Sequence, residues 1–404
     1  MTATSVLVVG GGTTGSVLAA RLSEDPSRQV TLVEAGPDES AYDDRVRDPS
    51  RAIELFGGGG IADPFAMDGI GMVRGTCLGG TSAVNFLAVC RGKPGDFTSW
   101  GPGWTWDDVL PCYERAEAVL RPRPWVPLSR AAKAFVDGVP GAHVLASSLH
   151  PDGTRRTVSQ AYLTDEVRAR PNLSVRTGEH LDVVTPDLAD EVVVCAGATR
   201  TPALLQRSGV PCGDGLQDHL GIPASYRHPS PSGLAGSPAE VLWDGGDVHL
   251  IPTVVADDGE HAYVTVLAFL LDLDDRGRVD GDTVTPQRRG PRDVARLHDL
   301  VERLAAWETS DAFLALGLER LGDLPDPETS PLVSYGHQAG TCAIGDVLDQ
   351  GCHVVGHEWL RVCDASAMPR LVSNPPYLTC VAMAERLAQQ LLDEAHPGGG
   401  DRAV

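Results

Sequence analysis

The sequence is poor in basic residues and contains no long hydrophobic run. Lys93 and Lys133 are its only lysines, and 55 acidic against 33 basic residues leave a net charge of -22. This balance argues against a nucleic-acid partner, since phosphate binding needs a basic surface, and against docking on an anionic membrane. No run approaches the roughly 20 apolar residues of a membrane span, and no charged-then-apolar leader is recognisable. We therefore expect no membrane association and a cytoplasmic location.

Nine cysteines are scattered along the 404 residues, and no two of them form a CxxC pair. An odd number of irregularly spaced cysteines fits buried thiols in a reducing compartment better than a disulfide framework or a zinc site. His353 and His357 are four residues apart, but they lie in a glycine-rich turn region without a third ligand nearby, so no metal is expected. The composition, 42% hydrophobic and 22% charged, is that of a globular protein with one large core or two packed domains.

Strands and helices are predicted to alternate at both ends of the chain, whereas the middle is predicted to hold mainly strands. Buried strands are expected at 6–9, 30–33 and 191–195, the first followed by a glycine turn and a helix over 16–23. The further expected elements are helices at 107–118, after 195 through 205 and at 291–306, strands at 248–255 and 262–271, and a last helix ending at 392. Residues 37–72 and 121–150 are rich in glycine or proline and are expected to be irregular.

The first glycine turn has the spacing of a dinucleotide-binding loop. Gly10, Gly12 and Gly15 fit G-x-G-x-x-G between a strand and a helix. Such glycines allow the tight turn, the approach of backbone to a pyrophosphate and close packing of helix on strand, while the helix N-terminus supplies amide donors. Glu34 ends the second strand, where a carboxylate would accept hydrogen bonds from ribose hydroxyls. The motif predicts a dinucleotide site but leaves NAD and FAD both open.

Further motifs follow in a recognisable order. Residues 74–85 read RGTCLGGTSAVN, and they are followed by Arg91-Gly92, Asp96 and Trp100. Later segments are 195–210, which contains CAGA, TP, LL and SGV, then LQDHL at 216–220, His337 before GTC at 340–342, and LRV, DAS, MP and NP between 360 and 375. Together these segments closely resemble the signatures of the glucose–methanol–choline (GMC) oxidoreductases, at both ends of the chain but not in its middle.

The resemblance implies an α/β fold in which a Rossmann-like FAD-binding domain is joined by a smaller α+β substrate domain with an antiparallel sheet. The FAD-binding domain is then discontinuous, built from residues 1–120, 161–221 and 331–396, the last of which carries the catalytic residues. Residues 121–160 form a connection on the substrate side, and 222–330 form a reduced substrate, or cap, domain. The tail at 397–404 is expected to be disordered.

The resemblance also implies FAD as cofactor and assigns its binding residues. Gly10, Gly12, Thr13, Thr14, Gly15 and Glu34 would hold the ADP half, and Leu181 would touch the adenine through its backbone. The flavin side would be contacted by Gly79, Gly80, Ser82, Asn85, Asp364, Ala365 and Pro375, and Ala196 and Gly197 are further residues expected to bind the cofactor. Some relatives attach FAD covalently through a histidine just before the Asn85 position. Here that residue is Val84, so non-covalent FAD is expected.

Two residues are candidates for catalysis on an alcohol. Loss of a hydride requires the hydroxyl proton to leave at about the same time, and a histidine titrating near neutral pH is a suitable base. His337 stands at the position of the family's catalytic histidine, and Asn374 at the partner position, where its amide could hold the substrate oxygen. His219, beside Asp218, is instead expected to be structural, as this motif is in relatives.

The chain departs from the family pattern at Thr76 and Pro211, and its segments after 120, between 184 and 191, and between 219 and 337 are short for the family. A trimmed cap could leave the flavin face open to a bulky or carrier-bound alcohol, or a partner or second subunit could complete the pocket.

A tailoring role in secondary metabolism is a further hypothesis, and the electron acceptor, oxygen or another, is left open. The alternatives are a lyase that uses the same histidine and a non-catalytic flavin-binding protein. No G-x-S-x-G elbow supports a serine hydrolase.

Overall fold

The computed structural model describes residues 4–228, 239–257 and 260–395. The tail at 397–404, for which disorder was expected, lies outside these residues. Helices of the described part are α1 (Thr13–Leu22), α2 (Asp44–Arg47), α3 (Trp106–Leu120), α4 (Arg130–Gly138), α5 (Val158–Tyr162), α6 (Asp165–Arg168), α7 (Arg200–Arg207), α8 (Pro291–Glu308), α9 (Asp311–Leu316) and α10 (Tyr377–Ala395).

Strands of the described part are β1 (Thr4–Val9), β2 (Arg28–Glu34), β3 (Ala62–Met67), β4 (Ile70–Gly75), β5 (Ala88–Val89), β6 (Arg123–Pro124), β7 (Ala142–Val144), β8 (Ala146–Ser147), β9 (Leu173–Thr177), β10 (Glu191–Val194), β11 (Asp214–Leu216), β12 (Leu220–His228), β13 (Val241–Asp244), β14 (Val248–Asp257), β15 (Ala262–Leu270), β16 (Gly277–Asp280), β17 (Thr283–Thr285), β18 (Glu319–Arg320), β19 (Val333–Ser334), β20 (His353–Val354) and β21 (His357–Val362).

A six-stranded sheet carries the nucleotide loop. Its order is β20-β21-β10-β1-β2-β9, and every neighbouring pair is parallel except β20 with β21. The apolar run Val6–Val9 in β1 is buried throughout, as expected for a central parallel strand covered on both faces. Helix α1 packs against this sheet and against α10, which in turn contacts α3. The sheet therefore joins segments from both ends of the chain, in the Rossmann-like arrangement that was expected.

A second, antiparallel sheet stands beside it. The order is β18-β12-β15-β14-β13-β7, with β19 pairing separately along β12. Helices α4, α8 and α9 cover one face, where Phe135, Trp307 and Phe313 form a buried aromatic cluster. The expected antiparallel sheet is thus confirmed. The proposed domain boundaries remain a prediction, and β7, from the connecting segment 121–160, pairs with β13 of this sheet.

Two segments expected to be irregular contain regular structure. Within 37–72, β3 and β4 form a hairpin whose turn is Asp68-Gly69, with φ of 48° and 86°. An Asp-Gly pair with two positive φ values is the preferred two-residue hairpin turn, so this sequence signal was overlooked. Within 121–150, α4 begins after Ser129, whose hydroxyl accepts from the amide of Ala132. A serine cap followed by an alanine-rich run predicts a helix start, but the surrounding prolines favoured an irregular segment.

Two further observations concern the molecule as a whole. Among residues 4–228, 239–257 and 260–395, no helix combines the length and the apolar character needed to cross a membrane. The nine cysteines are free thiols, all buried except the half-buried Cys90 and Cys212.

Candidate active site

The loop between β1 and α1 has the close contacts that its glycines predict. A Cβ on Gly10, whose φ is +103°, would lie 2.6 Å from the carbonyl oxygen of Cys195, the residue that follows β10. A Cβ on Gly15 would lie 1.9 Å from the carbonyl oxygen of Gly10. The first contact requires glycine at the turn and the second lets helix α1 approach strand β1. Gly12 is the N-cap of α1 and supplies no side-chain cap, so the first-turn amides of this helix are available to donate to an anion.

Glu34, predicted to contact the ribose, lies against this loop. Its carboxylate accepts hydrogen bonds from the backbone amides of Gly11, at 2.7 Å, and Gly36, at 2.8 Å. Burial raises the pKa of Glu34, and these amide hydrogen bonds oppose that rise. A carboxylate has about four lone-pair positions, so two acceptor positions remain beside the two amides. The residue is therefore both fixed in place and able to accept hydrogen bonds from the hydroxyls of a bound ribose.

Glu34→Gln is expected to raise the dissociation constant for FAD about 10- to 100-fold. Hydrogen bonds to a charged group contribute about 1.5–3 kcal/mol, and each 1.4 kcal/mol corresponds to about a factor of ten. Titration of the apoprotein with FAD, followed by flavin fluorescence, measures the change. Glu302→Gln, at an exposed position of α8, is the matched control. Equal affinities of the two variants would contradict the assignment of Glu34 to the ribose.

A second glycine-rich loop, at 79–85, lies directly on the first. A Cβ on Gly80 would lie 2.7 Å from the Cα of Gly12, and the amide of Gly79 donates to the carbonyl of Gly11 at 2.8 Å. Buried Arg155 fixes the end of the loop, because its guanidinium donates to the carbonyl oxygen of Asn85 at 2.8 Å and to its side-chain oxygen at 3.0 Å. The two loops consequently form one rigid backbone surface for a flat cofactor.

One cavity of about 950 Å³ runs across both loops and on toward His337. This volume is near the upper end of the roughly 300–1,000 Å³ usual for ligand sites. Fifteen of the predicted site residues line it: Gly10, Gly12, Thr13, Thr14, Glu34, Gly80, Ser82, Asn85, Leu181, Ala196, Gly197, His337, Asp364, Ala365 and Pro375. Gly15, Gly79 and Asn374 are not among the described lining residues. Gly15 and Gly79 instead make the backbone contacts that shape the loops.

Asp364, which is predicted to lie on the flavin side, bridges two segments of the chain. Its carboxylate accepts from the amide of Gly197 at 2.8 Å, from the hydroxyl of Thr201 at 2.6 Å and from the amide of Ser366 at 2.8 Å. It thereby ties the start of α7 to the segment that follows β21. The fixed backbone at Gly197 and Ala365 then forms a wall of the cavity.

His337 lies at the far end of the cavity among aromatic rings. Its Nδ1 is 2.9 Å from Nδ1 of His219, and its ring stacks on Tyr335 with centroids 4.1 Å apart. Tyr335 stacks in turn on Phe269, also at 4.1 Å. Burial, together with the neighbouring His219, holds the pKa of His337 well below its usual value. The imidazole is therefore neutral near pH 7.

Asn374 is next to the cavity but is not among the residues that line it. Its side-chain nitrogen donates to the carbonyl oxygen of Arg91 at 2.9 Å, while the next residue, Pro375, lines the cavity. The amide nitrogen carries two hydrogens, so one remains for another acceptor. Its pairing with His337 across a substrate stays a prediction.

Three residues that shape the site were not assigned to it from the sequence. Tyr335 lines the cavity and stacks on His337, Arg155 holds the loop at Asn85, and His219 contacts the candidate base. His219 stands in the LQDHL segment that the resemblance included, but no sequence spacing indicates a contact between residues 118 positions apart.

The parallel sheet, the two glycine loops and the cavity across them define a dinucleotide-binding α/β protein. Two family models, both described as GMC oxidoreductase, match residues 4–141 with 185–221 and residues 279–384. The chain therefore belongs to the GMC oxidoreductase family. This result confirms the resemblance found in the motifs, and with it an oxidoreductase with FAD as its cofactor. The glycine cradle and Glu34 described above fit the ADP portion of that cofactor.

Similar proteins cover nearly the whole chain. Pyridoxine 4-oxidase of Microbacterium luteolum is 28% identical over 498 aligned positions, which cover 94% of this chain and 98% of the relative. The oxygen-dependent choline dehydrogenase of Escherichia coli (strain K12) is 25% identical over 529 positions, with 95% of each chain covered. Both alignments are longer than the 404 residues of this chain, so the relatives contain segments without a counterpart here, as expected for a short member.

Solved structures share the fold. The structure of pyridoxine 4-oxidase from Mesorbium loti superposes with a TM-score of 0.83 at 24% identity, over 96% of this chain and 99% of that one. A formate oxidase gives 0.76 at 16% identity, over 98% and 99%. An FAD-dependent oxidoreductase from Chaetomium thermophilum gives 0.75 at 18% identity, over 97% and 99%. These likenesses confirm the α/β fold with its additional antiparallel sheet.

Proposed function

We propose that this protein oxidises the CH–OH group of an alcohol, with His337 as the base that accepts the hydroxyl proton. The observation that carries the proposal is the position of a neutral imidazole in the same cavity as the dinucleotide loops. The family of the chain and the names of its relatives, pyridoxine 4-oxidase and choline dehydrogenase, support oxidation of an alcohol.

The proposed chemistry divides the work between the cofactor and the chain. When bound, FAD supplies the acceptor for the hydride that leaves the alcohol carbon. The hydroxyl proton passes to Nε2 of His337, since Nδ1 is turned toward His219. The second N–H of Asn374 is proposed to hold the substrate oxygen while negative charge develops on it. Tyr335, stacked on the imidazole, fixes the plane of the base and excludes water from its face.

The cavity wall supports an alcohol with an apolar or aromatic body. Phe56, Phe65, Met72, Phe86 and Tyr335 all line it, and flat apolar ligands pack well on such side chains. The shortness of the segments around the site supports room for a bulky or carrier-bound molecule. We extend the proposal to a tailoring step in secondary metabolism. Efficient turnover of simple short-chain alcohols would count against that extension.

The proposal is tested by anaerobic mixing of the holoenzyme with primary, secondary and polycyclic alcohols while the flavin absorbance is followed. We expect bleaching by at least one alcohol, greatest for those with an aromatic body. Admission of air then separates the two acceptor classes, because fast return of colour indicates an oxidase and slow return a dehydrogenase. A holoenzyme that dithionite bleaches but no alcohol does would reject alcohol oxidation and direct product analysis toward lyase chemistry.

We further propose that FAD is held without a covalent bond. Val84 occupies the position of the attaching histidine and lines the cavity with 1% of its surface exposed. Acid precipitation of the holoenzyme is expected to leave all yellow colour in the supernatant. Flavin fluorescence that remains with the protein pellet would disprove this expectation.

A further inference from the structure

The strongest unassigned feature is the contact between two histidine side chains. The Nδ1 atoms of His219 and His337 are 2.9 Å apart, and the rings are nearly perpendicular, at 83°, with centroids 5.0 Å apart. Two nitrogens at this distance form a hydrogen bond only if one carries hydrogen and the other presents a lone pair. The contact therefore selects one of two arrangements of the protons, and the arrangement decides whether His337 can act as a base.

A neutral imidazole carries one N–H and one lone pair. If Nδ1 of His337 is the donor, its Nε2 presents a lone pair and can accept a proton. If Nδ1 of His219 is the donor, Nε2 of His337 carries the hydrogen and cannot accept another. Only the first arrangement provides a base on the substrate side.

The surroundings of His219 favour the first arrangement. This residue is completely buried, and its Nε2 makes no hydrogen bond of good geometry within the described residues. The backbone at Val372 and Leu271 raises the pKa of this imidazole against the larger lowering by burial, as nearby carbonyl acceptors do. Because Nδ1 is turned to His337, acceptors on the other side of the ring favour the hydrogen on Nε2 and leave Nδ1 of His219 as the acceptor.

Asp218, the residue before His219, holds the backbone of the turn that contains His337. The Asp218 carboxylate accepts from the backbone amide of His337 at 2.9 Å, from the side-chain amide of Gln338 at 2.7 Å and from the hydroxyl of Ser334. The carbonyl of His219 accepts from the amide of Tyr335 at 2.9 Å. Two consecutive residues thus fix both the backbone and the ring orientation of His337.

The structure assigns His219 as a positioning residue, which accepts a hydrogen bond from Nδ1–H of His337 and so keeps Nε2 of His337 free as the base. The hydrogen bond itself is independent of the proposed function, and only its effect on catalysis rests on that function. A neutral acceptor suits this task, because the hydrogen bond persists when His337 becomes charged. Buried His249 and Lys93 also act electrostatically on His219, and both disfavour a positive charge on it.

The direct test is the tautomer of His337 in the holoenzyme labelled with ¹⁵N at histidine. Two-bond ¹⁵N–¹H correlations at about pH 8, above the ordinary histidine pKa, distinguish Nδ1–H from Nε2–H, and His337→Asn identifies the signals. We expect Nδ1–H on His337 and Nε2–H on His219. The opposite tautomers would overturn the inference whatever the enzyme's activity proves to be.

The catalytic consequence is tested with two variants. His219→Phe removes the acceptor at similar size, and His219→Asn keeps a polar atom near the Nδ1 position. We expect His219→Phe to lower the limiting rate of flavin reduction about 10- to 100-fold with little change in substrate KM, and His219→Asn to recover most of the rate. An unchanged rate in a folded His219→Phe holoenzyme would overturn the role. If His337→Asn itself leaves the rate unchanged, the proposed function fails instead, and the tautomer measurement still decides the inference.

Discussion

Replacement of His337 by asparagine is expected to slow reduction of the flavin by alcohol about 10²- to 10⁴-fold. This range is the usual contribution of a positioned general base. The imidazole lines the cavity and is neutral, because burial and His219 hold its pKa well below the ordinary value. Rapid mixing without oxygen measures the reductive step separately from any reaction with an acceptor. Reduction by dithionite should be unaffected, since it requires no base.

The control for this prediction is His298→Asn, an exposed position on α8, which should keep the full rate. The pH profile of the unsubstituted enzyme gives a second check. Because a lowered pKa keeps the base form down to more acid solution, the rate should stay constant as the pH falls through about 6.5, the ordinary histidine value, and decline only below it. A His337→Asn enzyme with the full rate would exclude this residue as the base.

Gly80→Ala is expected to abolish tight FAD binding and to destabilise the fold. Gly80 has a φ of +52°, and its added Cβ would lie 2.7 Å from the Cα of Gly12. Both positions are backbone, so no flexible side chain can move aside. The left-handed conformation alone costs a residue with a Cβ about 1–2 kcal/mol. Separation of the two loops would also disturb the surface that the cofactor contacts.

FAD titration and thermal unfolding of the apoprotein measure the two effects of Gly80→Ala. We expect an affinity loss of more than about tenfold, or about 1.4 kcal/mol, together with a lower unfolding temperature. Gly71→Ala is the matched control, because a Cβ there has no neighbour within 4 Å. If Gly80→Ala bound FAD like Gly71→Ala, the contact between the loops would not be needed for the cofactor site.

The elements that the sequence predicted well are those with local signals. The strand at 6–9, the glycine turn and the helix after it appear as β1, the loop and α1, because apolar runs and glycine spacing depend on neighbouring residues. Helix α8, predicted at 291–306, spans Pro291–Glu308, since its apolar spacing matches one buried helix face. The Asp68-Gly69 hairpin turn lies in the segment 37–72, whose polar and glycine-rich sequence predicts irregular structure.

The parts that sequence reasoning did not reach depend on contacts between distant segments. Nothing local to His219 or His337 indicates that their rings meet, since the turn containing His337 is held by Asp218 from 119 positions away. Arg155 likewise reaches Asn85 across 70 positions. For Asn374 the sequence predicts a role that the observed contact does not show. Its motif predicts a partner for the base, yet its amide donates to the carbonyl of Arg91.

The pairing at the base of the antiparallel sheet has a consequence for how such enzymes diversify. Leu220 at the start of β12 pairs with Ser334 of β19, and Gln217 bridges to Ala339. The polypeptide therefore departs from the FAD-binding half and rejoins it at adjacent points. The length of the segment between these points can change while its two ends stay joined, but β7 and α4 from residues 121–160 pair with its sheet and cover it. A graft from a longer relative that is meant to change the substrate range, with the position of His337 preserved, therefore has to include both segments.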